Sequence, residues 1–157
     1  VVSEVHTGEY LSTLVAGNIH AGFLPVILFM LAGVMAFATG TSWGTFGIML
    51  PIAAAMAVKV EPSLIIPCMS AVMAGAVFGD HCSPISDTTI LSSTGAHCNH
   101  IDHVTSQFPY ALTVAASAAT GYLALGMTGS APLGFVVTGI VMVVLIFILK
   151  DKKKATA

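Results

Sequence analysis

The chain has 157 residues, 56% of them hydrophobic and only 8% charged, with a formal net charge of −2. A soluble domain carries about 25% charged residues, so this composition, with a mean hydropathy of +0.94, excludes an ordinary water-soluble globule and indicates an integral membrane protein. The only basic cluster is Lys150, Lys152, Lys153 and Lys154, which leaves no surface for nucleic acid. Cys68, Cys82 and Cys98 are odd in number and scattered, so no disulfide framework is expected. The chain opens on Val1 without a signal-peptide pattern and reads as the C-terminal part of a longer polypeptide.

Three stretches follow in chain order. Residues 1–20 mix Val, Leu, Glu and His, which fits an interfacial amphipathic helix or the remainder of an upstream span. Residues 21–150 form the membrane domain. Ala21 to Ala38 is apolar, Thr39 to Thr45 is rich in glycine and hydroxyls, and Phe46 to Val58 is apolar again. That return arm of 13 residues reaches only about 20 Å of the ~30 Å hydrocarbon core. The pattern predicts a re-entrant hairpin with its tip inside the membrane, or else one full span followed by a short helix.

After the turn Lys59-Val60-Glu61-Pro62, Ser63 to Phe78 predicts one half of a discontinuous transmembrane helix. Gly79 is expected to end it in a left-handed conformation. Pro84 delays the second half, Thr88 to Ala96, which Asp87 or Ser86 can cap. A polar loop, His97 to His103, precedes a span from Val104 to Leu125. The last span is Leu133 to Leu149. Residues 151–157 form a basic tail, which places the C-terminus in the cytoplasm by the positive-inside rule. The loop Gly126–Pro132 is then external, and the broken helix enters from outside. The fold class expected is all-α transmembrane: a hairpin, a broken helix and two further spans.

The chemistry concentrates in Gly79-Asp80-His81-Cys82-Ser83-Pro84-Ile85-Ser86-Asp87-Thr88-Thr89. An aspartate at the centre of a span costs roughly 2.5–3.5 kcal/mol on insertion scales, so a purely anchoring segment has no use for two. The carbonyl end of a half-helix suits a small cation. Ser83, Ser86 and Thr88 add hard oxygen ligands. Desolvation favours the neutral form of a carboxyl, so Asp80 or Asp87 can hold a proton in one state and face a cation in another. The competing reading is that the aspartates only cap half-helices. His81 is either a proton carrier or a hydrogen-bonded structural residue.

At the hairpin tip, Thr41, Ser42 and Thr45 offer hydroxyls. Gly40 and Gly44 permit close approach of a ligand, though their spacing also matches a helix-packing pattern. His97, Cys98, His100, Asp102 and His103 have the composition of a transition-metal site but not its spacing. Walker A and Gly-x-Ser-x-Gly motifs are absent, so neither ATP-driven transport nor serine hydrolysis is expected. No enzyme activity and no cofactor are expected.

Thr39-Gly40-Thr41-Ser42-Trp43-Gly44-Thr45-Phe46, then Phe78 to Thr89, then His100-Ile101-Asp102-His103-Val104 resemble the NhaC-type sodium/proton antiporter family. That family belongs to the ion transporter superfamily and includes malate/sodium-lactate antiporters. The resemblance implies a multi-pass protein of the bacterial inner membrane that exchanges Na⁺ for H⁺. It implies two inverted repeats, of which this chain supplies the second, and a homodimer in the lipid bilayer. The missing N-terminal repeat of the same polypeptide is then an expected partner. By the same resemblance Ser42, Thr45, Asp80, Ser83 and Asp87 become cation and proton ligands, with Na⁺ held by Asp87, Ser83, Ser42 and Thr45. Na⁺-coupled organic acid exchange and a non-transporting membrane subunit are the alternatives.

Overall fold

The computed structural model describes residues 20–155. The expectation for the N-terminal segment therefore lies outside the described residues, apart from His20. Its ring accepts the Gly22 N–H at 3.2 Å and starts a 3-10 turn, Ala21–Phe23, that leads into helix α1, Leu24–Thr39. Pro25 sits in the first turn of α1, where its missing N–H removes no helical bond. Gly40 ends α1 with φ +68° and its N–H on the Ala36 carbonyl. A Cβ there would also sit 2.9 Å from the Ile85 carbonyl. The position thus needs glycine both for its left-handed backbone and for the closeness of the neighbouring chain.

Thr41 is extended, and its hydroxyl accepts the Gly44 N–H at 3.3 Å. It is the N-cap of α2, Ser42–Val60. The turn between α1 and α2 is therefore only Gly40 and Thr41. The glycine-hydroxyl stretch that follows is helical. As a result the return arm has 19 residues and a length of about 28 Å, longer than its apolar run predicts. Gly44 is exposed and meets only Thr41 of its own turn, so it takes no part in helix packing.

A 3-10 turn at Pro62–Leu64 opens α3, Ile65–Cys82, and α4, Asp87–Gly95, follows the break. Gly79 does not end α3. Among the described glycines only Gly40 and Gly129 have positive φ. Instead α3 stops at Ser83, whose extended backbone (φ −72°, ψ 129°) is the conformation imposed on a residue before proline. Gly79 has a packing role: a Cβ on it would collide with the Gly33 carbonyl of α1, and one on Gly75 with the Phe29 carbonyl. This small-xxx-small stripe lets the two backbones touch.

Around that contact Leu28 and Ala32 of α1, Ile52 and Met56 of α2, and Val72 and Ala76 of α3 form the core. Helix α5, His100–Thr128, is capped by Asn99, whose side chain accepts the N–H groups of Ile101 at 2.9 Å and Asp102 at 3.3 Å. It begins inside the polar histidine segment, earlier than the hydropathy predicts. Tyr122 of α5 packs its ring, tilted by 31°, against Phe29 at 5.5 Å between centroids and donates to the Ser70 carbonyl at 3.0 Å. Helix α6, Ala131–Ala155, packs on α5 where Gly121 faces Gly134 and Thr138.

Among the described residues there is no strand, and five helical segments are long and apolar enough to cross a membrane. Leu31 and Val34 of α1 and Phe135, Ile140 and Phe147 of α6 point outward. In a membrane protein that surface belongs against lipid or further helices.

Candidate cation site at the helix break

A hairpin turn and a helix break meet in one place. The hairpin tip at Gly40 touches the main chain of Ile85 in the break between α3 and α4. Ser83 spans the same junction, donating its hydroxyl to the Phe37 carbonyl of α1 at 2.7 Å. That carbonyl lies in the last turn of α1, where the helix supplies no partner of its own.

Asp80 lies at the centre, in the last turn of α3, and is only 5% exposed. Ser42, the first residue of α2, donates to Oδ2 at 3.0 Å. Ser86, immediately before α4, donates to Oδ1 at 2.7 Å. The carboxylate therefore faces the N-terminal ends of two helices, each carrying a partial positive charge of up to about half an elementary unit. That field and two hydroxyls offset the loss of water, in place of a basic side chain.

A hydroxyl has one proton to give. Ser86 gives its proton to Asp80, so in the Ser86–Thr88 pair at 2.7 Å Thr88 is the donor. Thr88 is exposed and Ser86 is fully buried. A continuous line of hydroxyls thus leads from the surface of this segment to the carboxylate. If a proton arrives at Asp80 along this line, the Thr88–Ser86 and Ser86–Asp80 bonds reverse direction without any atom moving far, while Ser42 goes on donating to the other carboxyl oxygen. The arrangement accommodates either charge state.

The residues named from sequence divide into those that meet here and those that do not. Asp80, Ser42, Ser86 and Thr88 form the connected group. Ser83 is buried in the same junction, its proton committed to Phe37. Thr45 is buried, and its hydroxyl donates to the Thr41 carbonyl at 2.9 Å. Thr41 caps α2. Asp87 lies on the exposed side of α4's first turn, apart from the Asp80 cluster. His81 points its side chain outward and contributes its carbonyl, which accepts from Thr89 Oγ1 at 3.4 Å. The set Asp87, Ser83, Ser42 and Thr45 is therefore not a connected group in this structure; Asp80 is the carboxylate at the junction.

Among the described residues no group of three or more His, Cys, Asp and Glu is placed to hold a metal ion. The histidine segment spreads instead: His97 has φ +52°, and His97, Cys98 and Asp102 are exposed. His100 alone turns toward the break, with Nε2 2.7 Å from the Pro84 carbonyl. Gln107, unremarked in the sequence, donates its amide to the His81 carbonyl. Its only sequence signal is a spacing of seven from His100, which puts both on one face of α5.

Among the described residues, the all-helical arrangement with five segments of membrane-crossing length, and with a buried carboxylate where a hairpin turn meets a helix break, is that of a multi-pass membrane protein. The model of the Na⁺/H⁺ antiporter family matches residues 1–127. The chain belongs to that family, whose members are transporters rather than enzymes.

An uncharacterized protein of Haemophilus influenzae is 64% identical over 152 residues, covering 97% of this chain and 29% of its own length. An uncharacterized Na⁺/H⁺ antiporter of the same organism is 32% identical over 105 residues, 67% of this chain and 22% of its own length. The malate-2H⁺/Na⁺-lactate antiporter of Bacillus subtilis is 31% identical over 115 residues, 64% of this chain and 24% of its own length. The chain thus spans less than a third of the length of each of these relatives. No solved structure matches it.

Proposed function

We propose that this chain carries one half of the exchange site of an NhaC-type secondary antiporter that moves Na⁺ against H⁺ across the bacterial inner membrane. The observation that carries this reading is Asp80: a buried carboxylate whose two oxygens are met by hydroxyls from the hairpin tip and the helix break. One negative charge among hydroxyl and carbonyl oxygens suits a hard monovalent cation, and the same charge suits a proton. Because both compete for Asp80, occupancy by one excludes the other. That exclusion is the minimum requirement for coupled exchange.

In this mechanism Na⁺ approaches the ionised Asp80 and takes oxygen lone pairs from Ser42 and Ser86, whose protons turn away from it. In the opposite half-cycle a proton reaches Asp80 along Thr88 and Ser86. The hairpin opens outward and the C-terminus lies in the cytoplasm, as the lysine cluster favours. The rest of the site belongs to the inverted repeat expected upstream in the same polypeptide, in a homodimer. Asp87, on the exposed side of α4, is available to that missing half.

The test is exchange by the full-length protein in proteoliposomes. Asp80→Asn abolishes Na⁺ uptake driven by a pH gradient, whereas uptake at the wild-type rate removes Asp80 from the mechanism. The Bacillus relative supports a second reading, Na⁺-coupled exchange of organic acids. In that case external malate or lactate stimulates Na⁺ flux through the wild-type protein, and pH-driven Na⁺ exchange without either acid contradicts it.

A further inference from the structure

Breaking a helix frees carbonyls, and α5 holds two of them. His100 is the first residue of α5. A carbonyl can only accept, so His100 Nε2 carries a proton and donates it to Pro84, 2.7 Å away. The other ring nitrogen lies 3.1 Å from Ser93 Oγ on α4. Two turns along the same face, Gln107 donates to the His81 carbonyl. His81 lies in the last turn of α3 and Pro84 lies in the linker beyond it. The two contacts therefore bracket the point where the chain departs from helix, 26 and 16 residues away from their donors in sequence.

The linker does little to hold itself. Its internal main-chain bond, Ser86 N–H to the Ser83 carbonyl, is long at 3.3 Å. Helix α4 has nine residues, and isolated helices shorter than about 12–15 residues are marginal. Yet Ser83 must reach Phe37 and Ser86 must reach Asp80 at the same time. A site of this kind depends on neighbouring contacts that lock its geometry.

We propose that His100 and Gln107 are positioning residues for the cation site. They pin the His81 and Pro84 carbonyls to one face of α5 and so keep the Ser86 hydroxyl aimed at Asp80. The inference rests on the reading of Asp80 as the exchange site. It assigns a role to one member of the histidine segment that involves no metal, and to a glutamine that touches neither ion.

Two measurements on the full-length protein test it. In proteoliposomes, His100→Leu and Gln107→Leu, which remove the donors, each raise the KM for Na⁺ about tenfold and leave kcat within about threefold of wild type. His100→Gln, which keeps an N–H donor, restores most of the loss. Amide hydrogen exchange reads the clamp without transport: in the leucine variants residues 83–90 exchange faster while α1 does not. If His100→Leu fails to fold, Gln107→Leu carries both measurements.

An unchanged KM in both leucine variants overturns the proposal. So does equal impairment of His100→Leu and His100→Gln with faster exchange throughout the molecule, the signature of a general structural role. A wild-type protein that moves no cation defeats the reading of Asp80 and the positioning role with it. Unchanged exchange at residues 83–90 beside a working wild type defeats the clamp alone.

Discussion

The break at residues 79–89 and the histidine segment at 97–103 are both polar interruptions of an apolar chain, and they have opposite fates. In the break, Asp80, Ser83, Ser86 and Thr89 are buried. Among the described residues no buried side-chain nitrogen or oxygen lacks a hydrogen-bond partner. In the histidine segment His97, Cys98, Asn99 and Asp102 are exposed, and the chain turns into α5 under an Asn99 cap. The difference lies in what each segment meets. The break is pressed against the hairpin tip by the glycine contact of α1 with α3, so its polar groups must find one another. The histidine segment lies at a helix end, where of its histidines only His100 reaches the break. Polarity in a greasy chain marks a site only where packing converges on it.

Paired substitutions sharpen that comparison. The largest contrast is between carboxylates. Asp80→Asn lowers Na⁺/H⁺ exchange by about 100-fold or more, while Asp102→Asn stays within about twofold, measured as initial rates in proteoliposomes. Equal losses would erase the distinction between the two regions. Next is the hydroxyl line. Ser86→Ala leaves Asp80 with one hydroxyl partner and no route to Thr88, and the rate falls roughly tenfold. Ser86→Thr retains a hydroxyl and most of the rate.

Packing should give a separate signal. Gly79→Ala forces α1 and α3 apart at the Gly33 carbonyl and destabilises the fold by about 1–3 kcal/mol, seen as a lower thermal unfolding midpoint. Gly44→Ala needs only a shift of its own neighbour Thr41 and costs less. The smallest effect is expected for His97→Ala with His103→Ala, which changes exchange by less than about twofold. A large loss in that double variant would bring His97 or His103, beside His100, into the mechanism.

Much of this was legible in the chain. Costly polar residues in apolar surroundings located the break, and a glycine- and hydroxyl-rich interruption located the turn that meets it. The helix boundaries were less legible, because hydropathy registers where apolar character ends rather than where hydrogen bonding ends. Ser42, Thr45 and Lys59 are all helical, and so are His100 and Asp102.

Gly79 looked like a helix stop because glycine serves both left-handed turns and close packing. Only the approach of α1 separates these roles. The choice between Asp80 and Asp87 was also hidden. Residues seven apart share a face in one continuous helix, but the linker Ser83–Ser86 interrupts the helix between them, leaving one aspartate buried and the other exposed. The hold of Gln107 on His81 spans 26 residues, beyond the reach of any local pattern.

The central claim is that Asp80 carries either a proton or a cation. Infrared difference spectroscopy of the full-length protein on adding Na⁺ at constant pH tests it directly. Wild type should lose the C=O band of a protonated carboxyl and release a proton to the medium, and both signals should be absent in Asp80→Asn. The same band loss and proton release in Asp80→Asn, or a wild type that binds Na⁺ with neither, would contradict the account.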